Sequence, residues 1–305
     1  MNGLATIVAF ISTIFLCLAA TNATDRPEFW SNVTSTNHRR LQQCRKCVSF
    51  YAHADTNYAR EERDRFPLQV QRIPNDAKFI VHLGDLKGDD KCKSDKPYSL
   101  VADTYLDHAN VPVFVTPGDN DWYDCGSKSA RRRGWKLWEK YFLHFYNRSG
   151  NLLSWSVDHQ ANRAENFAFY RKRILFIGVH LVGGDIKDEK EWNGRLKDNL
   201  HWTIFSLEKY SRARVVVIFA HAAPTKKHQY YFDGLSNIAN NNARIEFLYL
   251  HGDHHRWKED RPFGAKNIKR VMLDQGAIAD PTRIKTCSCS NTPAFEFDQR
   301  RLSNL

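Results

Sequence analysis

Beyond residue 20 the sequence lacks any second long apolar run. A membrane-spanning helix needs roughly 20 apolar residues, so the rest of the chain offers no candidate span. Low-complexity linkers and internal repeats are also lacking, which argues against a string of modules and favours one domain. Acids are the scarcer charge, with 34 Asp and Glu against 45 Lys and Arg and a formal net charge of +11. Such a surface draws anionic partners: phosphorylated compounds, polyanions or membrane surfaces.

The apolar stretch at residues 4–20 carries no charge and is followed by Ala19, Ala20, Thr21, Asn22 and Ala23, all small or polar. This pattern resembles a signal peptide over residues 1–23, leaving 24–305 as a single domain. No Lys or Arg precedes the stretch, so an uncleaved membrane anchor is the alternative, and its length falls short of a span. Secretion is therefore the expectation, and cysteine usage agrees with it. Cys17 falls in the expected signal and six cysteines remain, an even number that points to disulfides in an oxidising compartment. Their spacings suggest Cys92 with Cys125, and Cys44 and Cys47 with Cys287 and Cys289. A four-cysteine zinc site built from the CxxC and CxC pairs is the alternative. Sequons at Asn22, Asn32 and Asn147 fit an exported glycoprotein.

Short β-rich runs alternate with longer amphipathic segments. Strands are expected at 48–52, 79–83, 113–115, 167–170, 174–179, 215–220, 247–250 and 271–273. Helices are expected at 59–70, 98–108, 129–146, 189–207 and 230–240. This alternation predicts a layered α/β fold. The run ARRRGWKLWEKYF, residues 130–142, reads as a helix burying Trp135, Trp138 and Phe142 under a solvated basic face.

Five of the expected strands end in an Asp or a His. Asp55 follows the first, Asp85 the second and Asp119 the third; His221 follows 215–220, and Asp253 and His255 follow 247–250. Ligands of open α/β sheets sit outside the carboxyl ends of the strands, so these residues are expected to converge. The stretch VFVTPGDNDWYDC, residues 113–125, places Asp119, Asp121 and Asp124 within six residues. Their mutual repulsion needs a cation, and Asp and His are ordinary ligands of divalent metals. Asp119 is expected as a ligand, with Asp121 and Asp124 holding the loop and Asp85 bridging two ions. His82 and His251 are expected to be packed strand ends.

The order Asp, Gly-Asp, Pro-Gly-Asp, His, Gly-Asp-x-His, each after a strand, resembles the calcineurin-like metallophosphoesterase family from about residue 48 to 273. "HLGD", "PGDNDW" and "LHGDHHRW" are similar to a secreted branch in which Asp stands where relatives carry Asn or His. The resemblance implies a four-layer α/β/β/α sandwich with a two-metal centre. One ion would take Asp55, Asp85 and His255; the other would take Asp85, Asp119, His221 and Asp253. It also implies a bridging hydroxide that attacks phosphorus. Asn57 replaces a family histidine, as Asn120 does at the position acting on the leaving group, which leaves Asn120 and His254 as the catalytic candidates. Carboxylates in place of Asn and His favour Mg, Mn or Ca over Zn. With the family's habits, two divalent ions are expected, Mn, Mg or Fe rather than Zn. "RAENFAF" also resembles that branch, which makes Glu165 and Asn166 candidates to face the site.

The function expected is a secreted metal-dependent phosphoesterase acting on an anionic phosphate ester, a monoester rather than a diester. Two alternatives stand beside it. One is a non-catalytic secreted domain that binds a partner. The other is a phosphodiesterase or nuclease that tracks nucleic acid along Arg131 to Arg133.

Overall fold

The structure, a computed structural model, describes residues 44–150 and 154–299. The expected signal peptide, the sequons at Asn22 and Asn32 and the first part of the expected domain lie outside the described residues. Along the chain come β1 (Cys47–His53), α1 (Arg60–Gln71), β2 (Ile80–His82), α2 (Lys96–His108) and β3 (Val113–Val115). A turn of π-helix (Asp119–Tyr123) leads to α3 (Lys128–Phe142). There follow β4 (Val157–Gln160), β5 (Arg163–Arg171), β6 (Ile174–Gly178), α4 (Glu189–Lys209), β7 (Val215–Phe219) and α5 (Gln229–Asn241). The chain closes with β8 (Glu246–His251), β9 (Lys258–Asp260), β10 (Ile268–Met272), β11 (Thr282–Cys287) and β12 (Phe295–Asp298).

Two sheets form, ordered β12-β11-β1-β2-β3 and β4-β5-β6-β7-β8-β10-β9. Runs such as Val215–Phe219, VVVIF, are buried at every position, as a strand covered on both faces requires. Alternate residues then feed two different cores. Phe50, Phe79, Phe114, Phe169, Phe176 and Phe219 meet between the sheets, with Phe79 edge-on to Phe169 at 5.2 Å. Ile177, Ile218 and Tyr249 face Trp192, Trp202 and Tyr231 of α4 and α5, while Tyr51, Ile80 and Val113 face Phe66, Tyr98 and Trp138 of α1 to α3. The result is the expected helix, sheet, sheet, helix sandwich. Among the described residues no helix is long and apolar enough to cross a membrane.

Helix ends follow local chemistry. Ser127 caps α3 by accepting from the Ala130 N–H, and Asp188 caps α4 by accepting from the Glu191 N–H. The basic run becomes α3, burying Trp138 and Phe142 and half-burying Trp135. It stops four residues before the expected end, because Leu143 turns extended and His144 adopts a left-handed backbone at φ 55°. In the third sequon Asn147 is exposed, whereas Ser149 is buried and accepts from the Val113 N–H.

Three disulfides close the described chain: Cys44–Cys289, Cys47–Cys287 and Cys92–Cys125. Cys47 and Cys287 are register partners of antiparallel β1 and β11. Although Cys44, Cys47 and Cys287 lie close enough to hold a metal, their sulfurs are spent in disulfides and the zinc alternative falls.

Candidate metal centre

The parallel strands β1, β2, β3, β7 and β8 deliver their carboxyl-end loops to one place. Asp55, Asp85 and His221 have ligand atoms within 4.8 Å of one another, as do Asp119, His221 and Asp253. Asp55, Asp85, Asp119 and His221 are buried. His255 Nε2 lies 3.4 Å from Asp55 Oδ1, so all six candidate ligands gather at one site. Asp55, Asp85, Asp253 and His255 all have positive φ, from 55° to 84°. Such backbone costs energy for residues other than glycine and persists where the surroundings impose it.

Packing around the loops leaves no slack. Gly84 is left-handed at φ +87°, and a Cβ on Gly118 would collide with Asp85. Asp121 does the work expected of it: its carboxylate accepts from the N–H groups of Asp85, Leu86 and Gly118 at 2.7–3.1 Å. Asp124 pairs with Lys187 at 3.4 Å.

His221 supplies the clearest sign of a cation site. Its Nδ1 donates to the Leu83 carbonyl oxygen at 2.9 Å, which turns Nε2 toward the acids. Nε2 is 2.8 Å from Asp119 Oδ1 and 3.4 Å from Asp85 Oδ1. Nε2 and Asp119 Oδ1 are buried, and neither finds an aligned hydrogen-bond partner among the described residues. The acids around Nε2 call for a positive charge there, either a proton on the ring or a bound cation, and a second-nitrogen bond of this kind orients histidine ligands. The oxygen-rich donor set with imidazole fits a divalent ion.

Electrostatics agree. Burial, then repulsion from Asp119, Asp121 and Asp55, pushes the Asp85 pKa well up, against the pull of His221. Burial opposes charge on His221 too, but Asp85 and Asp119 outweigh it and hold its pKa well above the usual value. Asp119 is lowered: burial would raise it, and the adjacent His221 ring prevails. His255 is raised by its bond to Asp55.

The two catalytic candidates part company. Asn120 faces Asp85: its backbone N–H donates to Oδ1 at 2.9 Å and its side-chain amide to Oδ2 at 2.6 Å. His254 is 54% exposed and lies 3.6 Å from Asp253 Oδ2. Glu165 and Asn166 do not face the centre; they lie in β5 and build a separate network. Glu165 binds His180 Nδ1 at 2.7 Å, His180 Nε2 accepts from Trp122, and Asn166 takes the His180 N–H. His82 and His251 are buried as expected. His53 sits between Phe66, His82 and Tyr105 in the helix-side core.

Sequence reasoning missed Tyr58 and Lys87. Tyr58 donates to Asp85 Oδ2 at 2.9 Å, lies 3.3 Å from Asp55 Oδ1 and stacks on the His255 ring. Lys87 is a buried cation that donates to the Asn120 carbonyl oxygen at 2.7 Å and pairs with Asp90. Both follow a candidate ligand by two or three residues, and that proximity was the only available signal. A cavity of about 710 Å3 opens beside them, lined by Asn57 and Tyr58, by the cations Arg60, Arg63, Lys87 and Lys96 and by the acids Asp64, Asp89 and Asp90.

A solved structure shows the same fold. The chain aligns with a 5'-nucleotidase from Candida albicans at 11% identity and a TM-score of 0.50, covering 82% of this chain and 51% of that one. It thus spans about half the length of the nucleotidase. It aligns with TT1561 of Thermus thermophilus at 12% identity and a TM-score of 0.45, covering 83% and 98%. With GAP50, the anchor in the inner membrane complex of Plasmodium, identity is 11% and the TM-score 0.44, covering 84% and 79%. No curated protein sequence matches the chain. Residues 48–261 match the calcineurin-like phosphoesterase family, the stretch that carries β1 to β9 and every candidate ligand, and the protein belongs to that family.

Proposed function

We propose that the protein is a secreted, metal-dependent phosphoesterase hydrolysing an anionic phosphate ester. The observation that carries this reading is the pair of overlapping donor groups, Asp55/Asp85/His221 and Asp119/His221/Asp253, in a chain of this family. Asp55, Asp85, Asp119, His221, Asp253 and His255 would hold two divalent ions, Mn, Mg or Fe in preference to Zn. Bound there, such ions supply Lewis acidity toward the phosphoryl group and lower the pKa of the attacking water. The chain supplies position. Asp85 is fixed by Asn120 and Tyr58, and His221 is aimed by the Leu83 carbonyl. The cavity beside Tyr58 offers Arg60, Arg63 and Lys96 to an anionic substrate, alongside the acids Asp64, Asp89 and Asp90. Asn120, engaged on Asp85, is an amide and cannot protonate a leaving group, so activated monoesters are the favoured substrates, with exposed His254 the candidate acid for less activated ones. The three disulfides support export to an oxidising compartment.

A binding protein that keeps the centre without turnover is the second reading, favoured by amides at Asn57 and Asn120 where the resembling family has histidines. One assay separates them: hydrolysis of an activated aryl phosphomonoester and its diester by purified protein with Mn or Mg. Turnover abolished by a chelator and by Asp85→Ala supports the enzyme; activity equal to that variant with every metal supports the binder.

A further inference from the structure

A second concentration of charge lies at the opposite end of the sandwich. Strands β6, β7, β8 and β10 run parallel, with Ile174 beside Val215, Val215 beside Glu246, and Phe247 beside Ile268 at their amino ends. Around those ends opens a cavity of about 820 Å3 lined by Lys46, Arg173, Arg214, Arg244, Arg261 and Lys269, with Glu246 its only acid. The metal ligands follow the carboxyl ends of the same strands. From Val215 to His221, at roughly 3.3 Å per residue, the two sites are about 20 Å apart.

The cations of this cavity are poorly neutralised. Among the described residues the side chains of Lys46, Arg214 and Arg244 have no ion-pair or hydrogen-bond partner. Arg173 and Arg261 donate to backbone carbonyl oxygens, of Arg212 and Lys266, which leaves their charge uncompensated. Lys269 alone pairs with an acid, Glu259 on β9.

The walls that carry these side chains are fixed. The Arg214 N–H donates to the Arg173 carbonyl and the Ser288 N–H to the Lys46 carbonyl, and Cys44–Cys289 ties the rim. A solvated basic face spreads its charges over convex surface, where water screens them. Here they line a concavity, where like charges repel and an anion relieves the repulsion. Guanidinium forks match phosphate and sulfate oxygens in pairs. The volume lies within the roughly 300–1,000 Å3 of small-molecule sites, which suits a compact ligand. We propose that this cavity binds a compact polyanion bearing several phosphate or sulfate groups, independently of the metal centre.

Calorimetric titration of the full chain with inositol hexakisphosphate and, separately, sucrose octasulfate tests this. The octasulfate is no phosphate ester, so phosphoesterase turnover cannot consume it. One-to-one binding is expected in the wild type and in Asp85→Ala. It should weaken about tenfold or more in Arg214→Gln/Arg244→Gln, as charge-assisted bonds are lost, and fall with salt. The control Arg131→Gln/Arg132→Gln removes equal charge from α3 and should leave affinity unchanged. Response to the phosphate alone assigns an oligophosphate, and response to the sulfate alone a sulfated sugar. Both exposed arginines can be changed without touching the core; if the double variant melts lower, Lys46→Gln replaces it. Aryl phosphate hydrolysis should be unaltered in either variant. Failure of both probes to bind, indifference to the cavity variants, or equal loss in the α3 control overturns the proposal. Because Asp85→Ala should retain binding, failure here is distinct from failure of the phosphoesterase reading.

Discussion

Replacing His53 with leucine should make the protein less sensitive to acid. The His53 ring is buried, and neither nitrogen finds a partner among the described residues. Burial alone pushes its pKa from the ordinary 6.5 down to about 3. Above pH 6.5 the ring is neutral in folded and unfolded chains and pH has no effect. As pH falls below 6.5 the unfolded chain takes up a proton that the fold refuses, and stability is lost progressively until pH nears the folded value. Between pH 7.5 and 5.0 that loss is about 2 kcal/mol for this one residue, a sizeable part of the roughly 5–15 kcal/mol of a domain. Leucine has similar volume and no orphaned nitrogen, whose burial costs about 1–3 kcal/mol, so His53→Leu should be at least as stable at pH 7.5. Urea unfolding of both proteins at pH 7.5, 6.5, 5.5 and 5.0, in one metal buffer, reads the difference. The wild type should lose about 2 kcal/mol more than the variant across that range. Equal losses would refute the reasoning and mean that His53 is hydrated or protonated in the fold. His180, held at about 4, and His251, held at about 3, add acid sensitivity of the same sign that both proteins share.

Tyr58→Phe removes the hydroxyl that holds Asp85; Mn affinity by calorimetry should fall roughly 10- to 100-fold, as for other groups that support ligands, with turnover recovering at saturating metal. Unchanged affinity would mean that Asn120 alone holds Asp85. Cys92→Ser/Cys125→Ser opens a loop closed over 33 residues and should cost about 3.7 kcal/mol in the chain-entropy account, read from urea midpoints; a loss below about 1 kcal/mol counts against that account. Because Asn120 is tied to Asp85, activated aryl monoesters should be cleaved at least about 100-fold faster than alkyl ones. His254→Ala should widen that gap, and a gap unchanged from the wild type would remove His254 from the chemistry.

The eight strands and five helices expected from the sequence all form, because each rests on a local signal. Apolar runs such as 215–220 make central strands, and the spacing of Trp138 and Phe142 makes α3 amphipathic. Four strands went unread. β4, β9, β11 and β12 are short or charged and lie at or near sheet edges, and β11, TRIKTC, buries mainly alternate residues against one face. Such strands are defined by the neighbour they pair with, which no local pattern discloses.

The sequence by itself determined the layered class and the placing of an acid or imidazole after each of five strands, since strand ends and turn residues are local properties. Asp121 as the brace of its loop was legible too, because an Asp in a turn accepts backbone hydrogen bonds locally. What only the tertiary structure decided is which groups share space. It turned Asn120 toward Asp85, set Tyr58 between Asp55 and Asp85, aimed His221 by the Leu83 carbonyl, and withdrew Glu165 and Asn166 to His180. It also gathered Lys46, Arg173, Arg214 and Arg244 around one cavity from four separate segments. Contacts of this kind join residues tens to hundreds of positions apart. They exist because packing two sheets face to face fixes where every loop can go, and that constraint is written in no single stretch of chain.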